Sequence, residues 1–139
     1  MSYLLDSNAC IALLRRRSVG VRKRYEAAVA GGDAIAVSSV VLFELWYGVA
    51  KSTQRETNTA RLEEFLASPI EVLSFEPEDA REASGIRADL EARGMAIGAY
   101  DTLIAGQARR RGLTLVTANA AEFSRVPDLK WEDWGSAPE

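Results

Sequence analysis

Apolar residues along the chain fall into two patterns that alternate from one end to the other. Short, nearly continuous apolar runs predict buried strands, whereas apolar residues at every third or fourth position predict helices. The predicted strands cover residues 3–5, 34–37, 70–75, 113–117 and 130–134. The predicted helices cover residues 9–14, 19–30, 39–50, 57–66, 78–93 and 99–111. Strands that alternate with helices favour an α/β fold, in which helices cover both faces of a parallel sheet.

Polar residues and glycines mark the predicted ends of these elements. Either Ser7 or Asn8 is expected to cap the first helix, because short polar side chains accept hydrogen bonds from the first helical N–H groups. Gly112 is expected to end the last long helix. A chain of 139 residues fits one domain, which we place at residues 1–135, followed by a flexible tail at 136–139.

Composition excludes several kinds of chemistry. The chain has no histidine and a single cysteine, Cys10, so Ser–His–Asp and Cys–His catalysis, histidine-bound zinc and an intrachain disulfide are ruled out. The apolar runs are shorter than the roughly 20 residues that span a bilayer, and the first residues lack the features of a signal peptide. We therefore expect a cytoplasmic protein whose chemistry depends on carboxylates, amides, hydroxyls, lysine and arginine.

Three carboxylates occupy positions where a solvated surface charge is not expected. Asp6 ends the first predicted strand, which is where α/β sheets bind ligands, although it could instead cap a helix. Glu44 lies in a helix that is apolar almost all round and is expected to be largely buried, so it needs an arginine partner, an exit to the helix edge, or a metal ion. Asp101 lies in the first turn of a helix, where the helix dipole alone would favour it.

Two further polar residues follow the strand predicted at 113–117. Asn119 is either a loop amide or a site residue, and Glu122 is either a surface acid or a further site carboxylate. Together with the three carboxylates they can converge on one edge of a parallel sheet. Carboxylates that share a pocket repel each other, and no lysine follows this strand to neutralise them. The sequence therefore predicts a hard divalent cation, Mg²⁺ or Mn²⁺, which prefers oxygen ligands.

Four segments, spread over nearly the whole chain, carry a family resemblance. They are Leu5–Asn8, Ser38–Gly48, Tyr100–Ala105 and Leu115–Phe123. In this order and spacing they resemble the PIN-domain ribonucleases, and most closely the VapC-type toxins of bacterial toxin–antitoxin pairs. The resemblance implies a PIN-like three-layer α/β/α sandwich with a central, mostly parallel, Rossmann-like sheet. It also implies an endoribonuclease toxin that depends on Mg²⁺ or Mn²⁺.

The resemblance also assigns roles to individual residues. It implies that Asp6, Glu44 and Asp101 are catalytic and hold the metal ion. The family's fourth acidic position, often aspartate, is Asn119 here, and an amide can ligate through oxygen but adds no charge. Glu122 lies close enough in sequence to supply the missing charge.

The expected reaction is hydrolysis of an RNA phosphodiester by a water molecule that the bound ion activates. Thr117 and Asn8 are candidates for holding the carboxylates in position, although Asn8 could equally be a cap. The resemblance further implies a homodimer, and a cognate VapB-type antitoxin whose C-terminal arm blocks the site. The RNA target and the number of metal ions stay open at this point.

Basic residues are clustered, although the net charge is −3. The predicted contacts to RNA phosphates are Arg15, Arg16, Arg17, Arg22, Lys23 and Arg24. Such contacts make binding weaken steeply with salt. A third cluster, residues 109–111, comes just before Gly112, where cations favour a helix C-terminus. Any of these clusters could instead be a solvated helix end.

Other functional classes were weighed against the ribonuclease. A catalytically weak or inactive regulatory module that binds RNA or an antitoxin is kept open by Asn119. A receiver domain needs paired acids and a late lysine, and an aspartate-dependent phosphatase needs Asp-x-Asp, neither of which the segment 6–8 and its surroundings provide. If the protein had only a structural role, the burial expected for Glu44 would have no explanation.

Overall fold

The computed structural model describes residues 1–135, which form five strands and seven helices. The strands are β1 (Ser2–Leu5), β2 (Ala34–Ser38), β3 (Glu71–Leu73), β4 (Thr114–Val116) and β5 (Trp131–Glu132). The helices are α1 (Ser7–Leu14), α2 (Val19–Ala30), α3 (Ser39–Ala50), α4 (Arg55–Ala67), α5 (Pro77–Ala92), α6 (Ala99–Arg111) and α7 (Ala120–Phe123). The predicted α/β class is therefore confirmed.

The five strands form one sheet in the order β3-β2-β1-β4-β5, and every pairing is parallel. The central strand β1 places Leu4 beside Ala36 on one side and beside Leu115 on the other. Leu4 and Leu115 have no exposed surface. The apolar runs that predicted strands are thus the centre of the hydrophobic core, as expected for a parallel sheet that helices cover.

Helices with clear end signals were predicted most accurately. The bounds of α2 and α6 match the expected ranges. Ser18 caps α2 by accepting a hydrogen bond from Val21 N at 3.2 Å, and Gly112 ends α6 with a φ of 65°. The short helix α7 was not predicted, because four residues are too few to show a helical period.

The predicted cap of the first helix was wrong. Asp6, not Ser7 or Asn8, is the N-cap of α1, and its Oδ1 accepts a hydrogen bond from Ala9 N at 2.8 Å. The helix therefore starts at Ser7, two residues earlier than its apolar pattern suggested. This gives Asp6 a structural task in addition to any chemical one.

The expectation that the helix of Glu44 is largely buried was also wrong. Within α3 only Val41 and Leu45 are buried, and the partly exposed Val40, Trp46 and Val49 also pack against the core. Phe43 and Tyr47 lie on another face and are 57% and 58% exposed. Apolar residues all round a helix predict burial only where other elements cover every face.

Two helices pack unusually closely. A Cβ atom on Gly106 of α6 would lie 2.7 Å from the Cα of Ala83 in α5, so only glycine allows this approach. Asp79 of α5 is fully buried and pairs with Arg110 Nε at 2.6 Å and with Arg111 Nη2 at 2.8 Å. Two members of the third basic cluster therefore fasten α6 to α5.

Residues 136–139, predicted to be a flexible tail, lie outside the described part of the chain, and the domain boundary at residue 135 stays a prediction. Among residues 1–135, no helix combines the length and the apolar character needed to cross a membrane.

Candidate active site at the carboxyl edge of the sheet

The predicted site residues surround the carboxyl ends of β1 and β4. The chain reverses direction across the sheet between these two neighbouring strands, and such a switch point opens a crevice where α/β proteins bind ligands. Asp6 follows β1 directly, and its backbone N–H donates to Val116 O of β4 at 3.1 Å. Thr117 follows β4 in the same way.

Asp6 is held rigidly at this edge. Its side chain is only 5% exposed, and it accepts hydrogen bonds from Ala9 N and from the Thr117 hydroxyl. Burial raises the pKa of Asp6, the two hydrogen bonds oppose that rise, and the charges of Glu44 and Asp133 add to it. Within residues 1–135, no lysine or arginine forms a salt bridge with this carboxylate.

Glu44 lies half-buried on α3 and faces the start of α1. Ser7 Oγ donates a hydrogen bond to Glu44 Oε1 at 2.7 Å. Within residues 1–135 no arginine or lysine forms a salt bridge with Glu44, so the arginine partner considered from the sequence is not found. Ser7 is thus a supporting residue that the sequence pattern had suggested only as a cap.

Asp101 and Glu122 lie within hydrogen-bond contact of each other. Burial raises the pKa of Asp101 to about 6, and a hydrogen bond to Glu122 and the charges of Glu122, Asp6 and Glu44 act in the same direction. Glu122 Oε2 is buried and has no hydrogen-bond partner in the described structure. A Cβ on Gly98 would lie 3.4 Å from Asp101 Oδ2, which is an ordinary van der Waals contact.

Thr117 links the carboxylates to the loop after β4. Its hydroxyl donates to Asp6 and accepts a hydrogen bond from Asn119 N at 3.0 Å. Asn119 is half-buried at the N-cap position of α7, the helix that carries Glu122. Asn8 is exposed and forms no hydrogen bond with these carboxylates in the described structure, so its predicted positioning role gains no support.

Sequence reasoning missed one acidic neighbour, Asp133. It follows β5 at the same edge of the sheet, and its charge contributes to the raised pKa of Asp6. Its Oδ1 accepts a hydrogen bond from Gly135 N at 2.8 Å. The predicted strand at 130–134 enclosed Asp133 and so concealed its position at a strand end.

The chemistry of this donor set fits a divalent cation. The charges of Asp6, Glu44 and Glu122 all act on Asp101, and the four side chains offer oxygen atoms, which hard cations prefer. The partnerless Oε2 of Glu122 is a buried acceptor that lacks a donor or a cation. Among residues 1–135, no three cysteine, aspartate or glutamate side chains lie close enough together in this conformation to hold a metal ion.

The predicted phosphate contacts divide into two groups. Arg15, Arg16, Arg17 and Lys23 are exposed. Arg22 instead donates to Leu13 O at 2.8 Å, and Arg24 pairs with Glu132 at 3.1 Å. The basic surface next to α1 is therefore partly available to a ligand and partly used to hold the fold together.

A parallel sheet with clustered carboxylates at its carboxyl edge defines a recognisable class of domain. The model of the PIN domain family matches residues 3–129. The chain is 40% identical over 134 residues to tRNA(fMet)-specific endonuclease VapC from Shigella flexneri, covering 96% of this chain and 98% of that protein. It is 39% identical to ribonuclease VapC2 from Rickettsia felis, with the same coverage.

Solved structures show the same architecture. VapBC2 from Rickettsia felis, bound to a DNA fragment from its promoter, matches with a TM-score of 0.90 and 38% identity over 96% of this chain and 99% of that one. DNA-bound VapBC from Salmonella typhimurium matches with a TM-score of 0.88 and 38% identity, covering 96% and 98%. The chain belongs to the PIN-domain family and, within it, to the VapC ribonucleases.

Proposed function

We propose that this chain is the endoribonuclease toxin of a toxin–antitoxin pair and hydrolyses RNA phosphodiesters with Mg²⁺ or Mn²⁺ bound at the carboxyl edge of the sheet. The observation that carries the proposal is the electrostatic interaction among Asp6, Glu44, Asp101 and Glu122 without a basic partner in the described structure. Membership of the VapC ribonucleases supports RNA as the substrate. Hydrolysis of cellular RNA would place the activity in the cytoplasm.

Asp6 and Asp101 are proposed as the main cation ligands, because they lie at the edge between the two strands at which the chain switches direction. Glu44, fixed by Ser7, completes the set. When bound, a divalent cation neutralises these carboxylates and stabilises the charge that develops on the phosphate oxygens. Thr117 keeps Asp6 in one orientation through its hydroxyl, and a carboxylate fixed in this way loses little entropy on binding.

Glu122 is proposed to supply the negative charge that Asn119 does not. Asn119 stands where the family often has aspartate, and Glu122 reaches Asp101 from the following helix turn. The amide oxygen of Asn119 can still accept a hydrogen bond or ligate a cation. The site would then contain four carboxylates, with the fourth supplied by Glu122 and not by the residue at position 119.

Partners are proposed from the solved relatives. The two structures described above are complexes named VapBC, so we propose that a VapB-type antitoxin binds this chain and blocks the carboxylate edge. We also propose a homodimer, for which the exposed apolar face of α3 with Phe43 and Tyr47 provides a suitable surface.

The activity is tested with purified, antitoxin-free protein. We expect cleavage of RNA in Mg²⁺ or Mn²⁺, no cleavage in EDTA, and at least about a 100-fold loss in Asp101→Asn, since even residues that only support metal ligands are worth 10–100-fold. Initiator tRNA is the first substrate to test, because the Shigella flexneri relative is named for it. Asp128→Asn is the matched control, because this aspartate is exposed and asparagine tolerates its φ of 62°.

The rival function, an inactive regulatory module, makes the opposite prediction. A folded wild-type protein that neither cleaves any RNA nor binds Mn²⁺ would contradict the ribonuclease proposal. Asn119→Asp would then show whether the missing fourth aspartate is the cause. Cleavage that persists unchanged in Asp101→Asn would remove this residue from the site.

A further inference from the structure

A cleft lined by arginines lies at the C-terminal end of α1, the helix that Asp6 caps at its other end. It has a volume of about 540 Å³ and lies among the end of α1, the helix α2 and the helix α4. Its basic residues are Arg15, Arg16, Arg22 and Arg61. We call this region the arginine cleft. Its size falls within the roughly 300–1,000 Å³ of pockets that hold small ligands or parts of larger ones.

Positive charge dominates the arginine cleft. Against its four arginines stands one lining acid, Glu64, and Glu26 approaches Arg22 at 3.7 Å from outside the lining. Arg22 is fixed in place because its Nη2 donates to Leu13 O, whereas its Nε has no partner in the described structure. An arrangement of several partly satisfied guanidinium groups suits phosphates, which accept paired hydrogen bonds from arginine.

A smaller cavity has lining residues in common with the arginine cleft and also touches one of the carboxylates. It has a volume of about 130 Å³, includes Glu44 in its lining, and shares Arg15 and Arg61 with the larger cleft. A polyanion bound along the two cavities would therefore run from the arginines to the proposed cation site. The sequence analysis assigned no role to Arg61.

The conformation of Arg16 is a separate observation that points to the same cleft. Arg16 N donates to Leu13 O and Arg17 N to Ala12 O, so Arg16 ends α1 at the position that helices usually give to glycine. Its φ is 52°, a left-handed conformation that is unfavourable for any residue with a Cβ. Glycine would relieve this strain, but only a longer side chain brings a cation into the cleft.

Two half-buried aromatic rings, those of Tyr25 and Phe65, line the same cleft. Aromatic surfaces next to arginines are the usual components of sites for single-stranded nucleic acid, because bases stack on rings while cations contact the backbone. An acidic peptide could form ion pairs with the arginines, but it has no bases to stack on the two rings.

From these observations we propose that the arginine cleft is a subsite for the RNA strand next to the bond that is cut, with Arg15, Arg16 and Arg61 contacting phosphates. The proposal rests on the proposed ribonuclease function and adds the path of the substrate. Arg61 thereby becomes a substrate-binding residue of this chain.

The test compares Arg16→Gly and Arg61→Gln with the control Arg55→Gln. Arg55 is an exposed arginine at the start of α4, the helix that carries Arg61, and it does not line the cleft. Binding of a labelled single-stranded RNA is measured by fluorescence anisotropy in EDTA at several salt concentrations. We expect each cleft variant to bind about five- to tenfold more weakly, with a slope against the logarithm of salt concentration that falls by about 0.7 for each lost phosphate contact.

Two further readouts separate binding from folding and from chemistry. The melting temperature of Arg16→Gly should equal or exceed that of the wild type, because glycine fits the left-handed position. In cleavage assays with Mg²⁺, both cleft variants should raise KM and leave kcat unchanged. A destabilised protein would instead lower the melting temperature and the active fraction together.

The proposal fails if the cleft variants bind RNA like Arg55→Gln while the wild type still cuts RNA, and the ribonuclease function then stands. It fails in a second way if they keep RNA affinity but lose affinity for a peptide from the antitoxin, which would make the cleft a protein-docking site. If the wild type binds RNA through these arginines but never cleaves it, the ribonuclease function fails and the RNA-binding cleft remains.

Discussion

Asp6 has two roles, as a helix cap and as a carboxylate of the proposed site. Two different substitutions can separate these roles. It caps α1 through Ala9 N and also faces the other carboxylates. Asparagine caps helices about as well as aspartate, whereas alanine does not. The two substitutions therefore remove different functions of the same side chain.

For Asp6→Asn we expect a loss of RNA cleavage of at least about 100-fold with a melting temperature that stays the same or rises. The rise would come from removing one of several repelling charges. Asp6→Ala should lose cleavage as well and also about 1 kcal/mol of stability, the usual value of an N-cap. Thermal melts and cleavage rates of both variants check this, and equal destabilisation by both would contradict the capping role.

Among the secondary-structure elements, the close packing of α5 on α6 stabilises the protein. It also holds in place the helix α6, whose first turn contains Asp101. Gly106 makes the approach possible, and the buried Asp79 with Arg110 and Arg111 fastens the other end. Both features join residues that are far apart in sequence. Each leads to a separate prediction.

Gly106→Ala should destabilise the protein by about 1–3 kcal/mol, because the new methyl group would meet the backbone of Ala83 and push the helices apart. Gly85→Ala in α5 is the control. Nothing lies within 4 Å of its new Cβ, so it should stabilise the helix by roughly 0.5–1 kcal/mol. Urea unfolding of both variants measures the difference, and a destabilised Gly85→Ala would show that the comparison does not isolate packing.

Asp79 makes the free energy of unfolding depend on pH in the acidic range. Burial alone would raise the pKa of Asp79, but hydrogen bonds from Arg111 and Arg110 hold it at about 2, below the usual aspartate value of 3.8. A carboxyl whose pKa is lowered by folding stabilises the protein above its unfolded pKa and loses that contribution as the pH falls. We therefore expect about 2 kcal/mol to disappear between roughly pH 4 and pH 2.

The check is the free energy of unfolding of wild type and Asp79→Asn at pH values from 6 to 2. The variant should be less stable at pH 6, because Arg110 and Arg111 lose the buried carboxylate that pairs with both of them. The difference between the two proteins should shrink as Asp79 of the wild type is protonated. A difference that is independent of pH would contradict an ionised Asp79.

In the whole molecule, the order of the strands brings together residues that are distant along the chain. Asp6 and Thr117 meet because β1 and β4 are neighbours, and helices bring Glu44, Asp101 and Glu122 to the same edge. The arginine cleft lies at the C-terminal end of α1 and shares Arg15 and Arg61 with a smaller cavity that Glu44 lines. A chain of net charge −3 thus combines a negatively charged carboxylate edge with a positively charged cleft. This arrangement suits a polyanion whose cleavage needs a cation.

Much of this organisation was predictable from local signals. The buried strands and the ends of α2 and α6 follow from apolar runs and from Ser18 and Gly112, which act on their immediate neighbours. The convergence of Asp6 and Asp101 followed from the rule that parallel strands share a carboxyl edge, together with the family resemblance.

Features that depend on distant contacts were not predictable. The pairing of Arg111 with Asp79 joins residues 32 positions apart, and the exposed face of α3 depends on which elements fail to cover it. Asp133 joined the acidic group because the last strand ends earlier than its apolar pattern suggests. In each case the sequence contains the residues, but the tertiary arrangement decides their surroundings.

The most direct test of the central claim is a Mn²⁺ titration of the purified protein without RNA, with free Mn²⁺ followed by electron paramagnetic resonance. The account predicts saturable binding by the wild type and by Asp128→Asn, and binding that is lost or much weaker in Asp101→Asn. Equal binding by the wild type and Asp101→Asn, or no binding by a folded wild type, would contradict a cation site formed by these carboxylates.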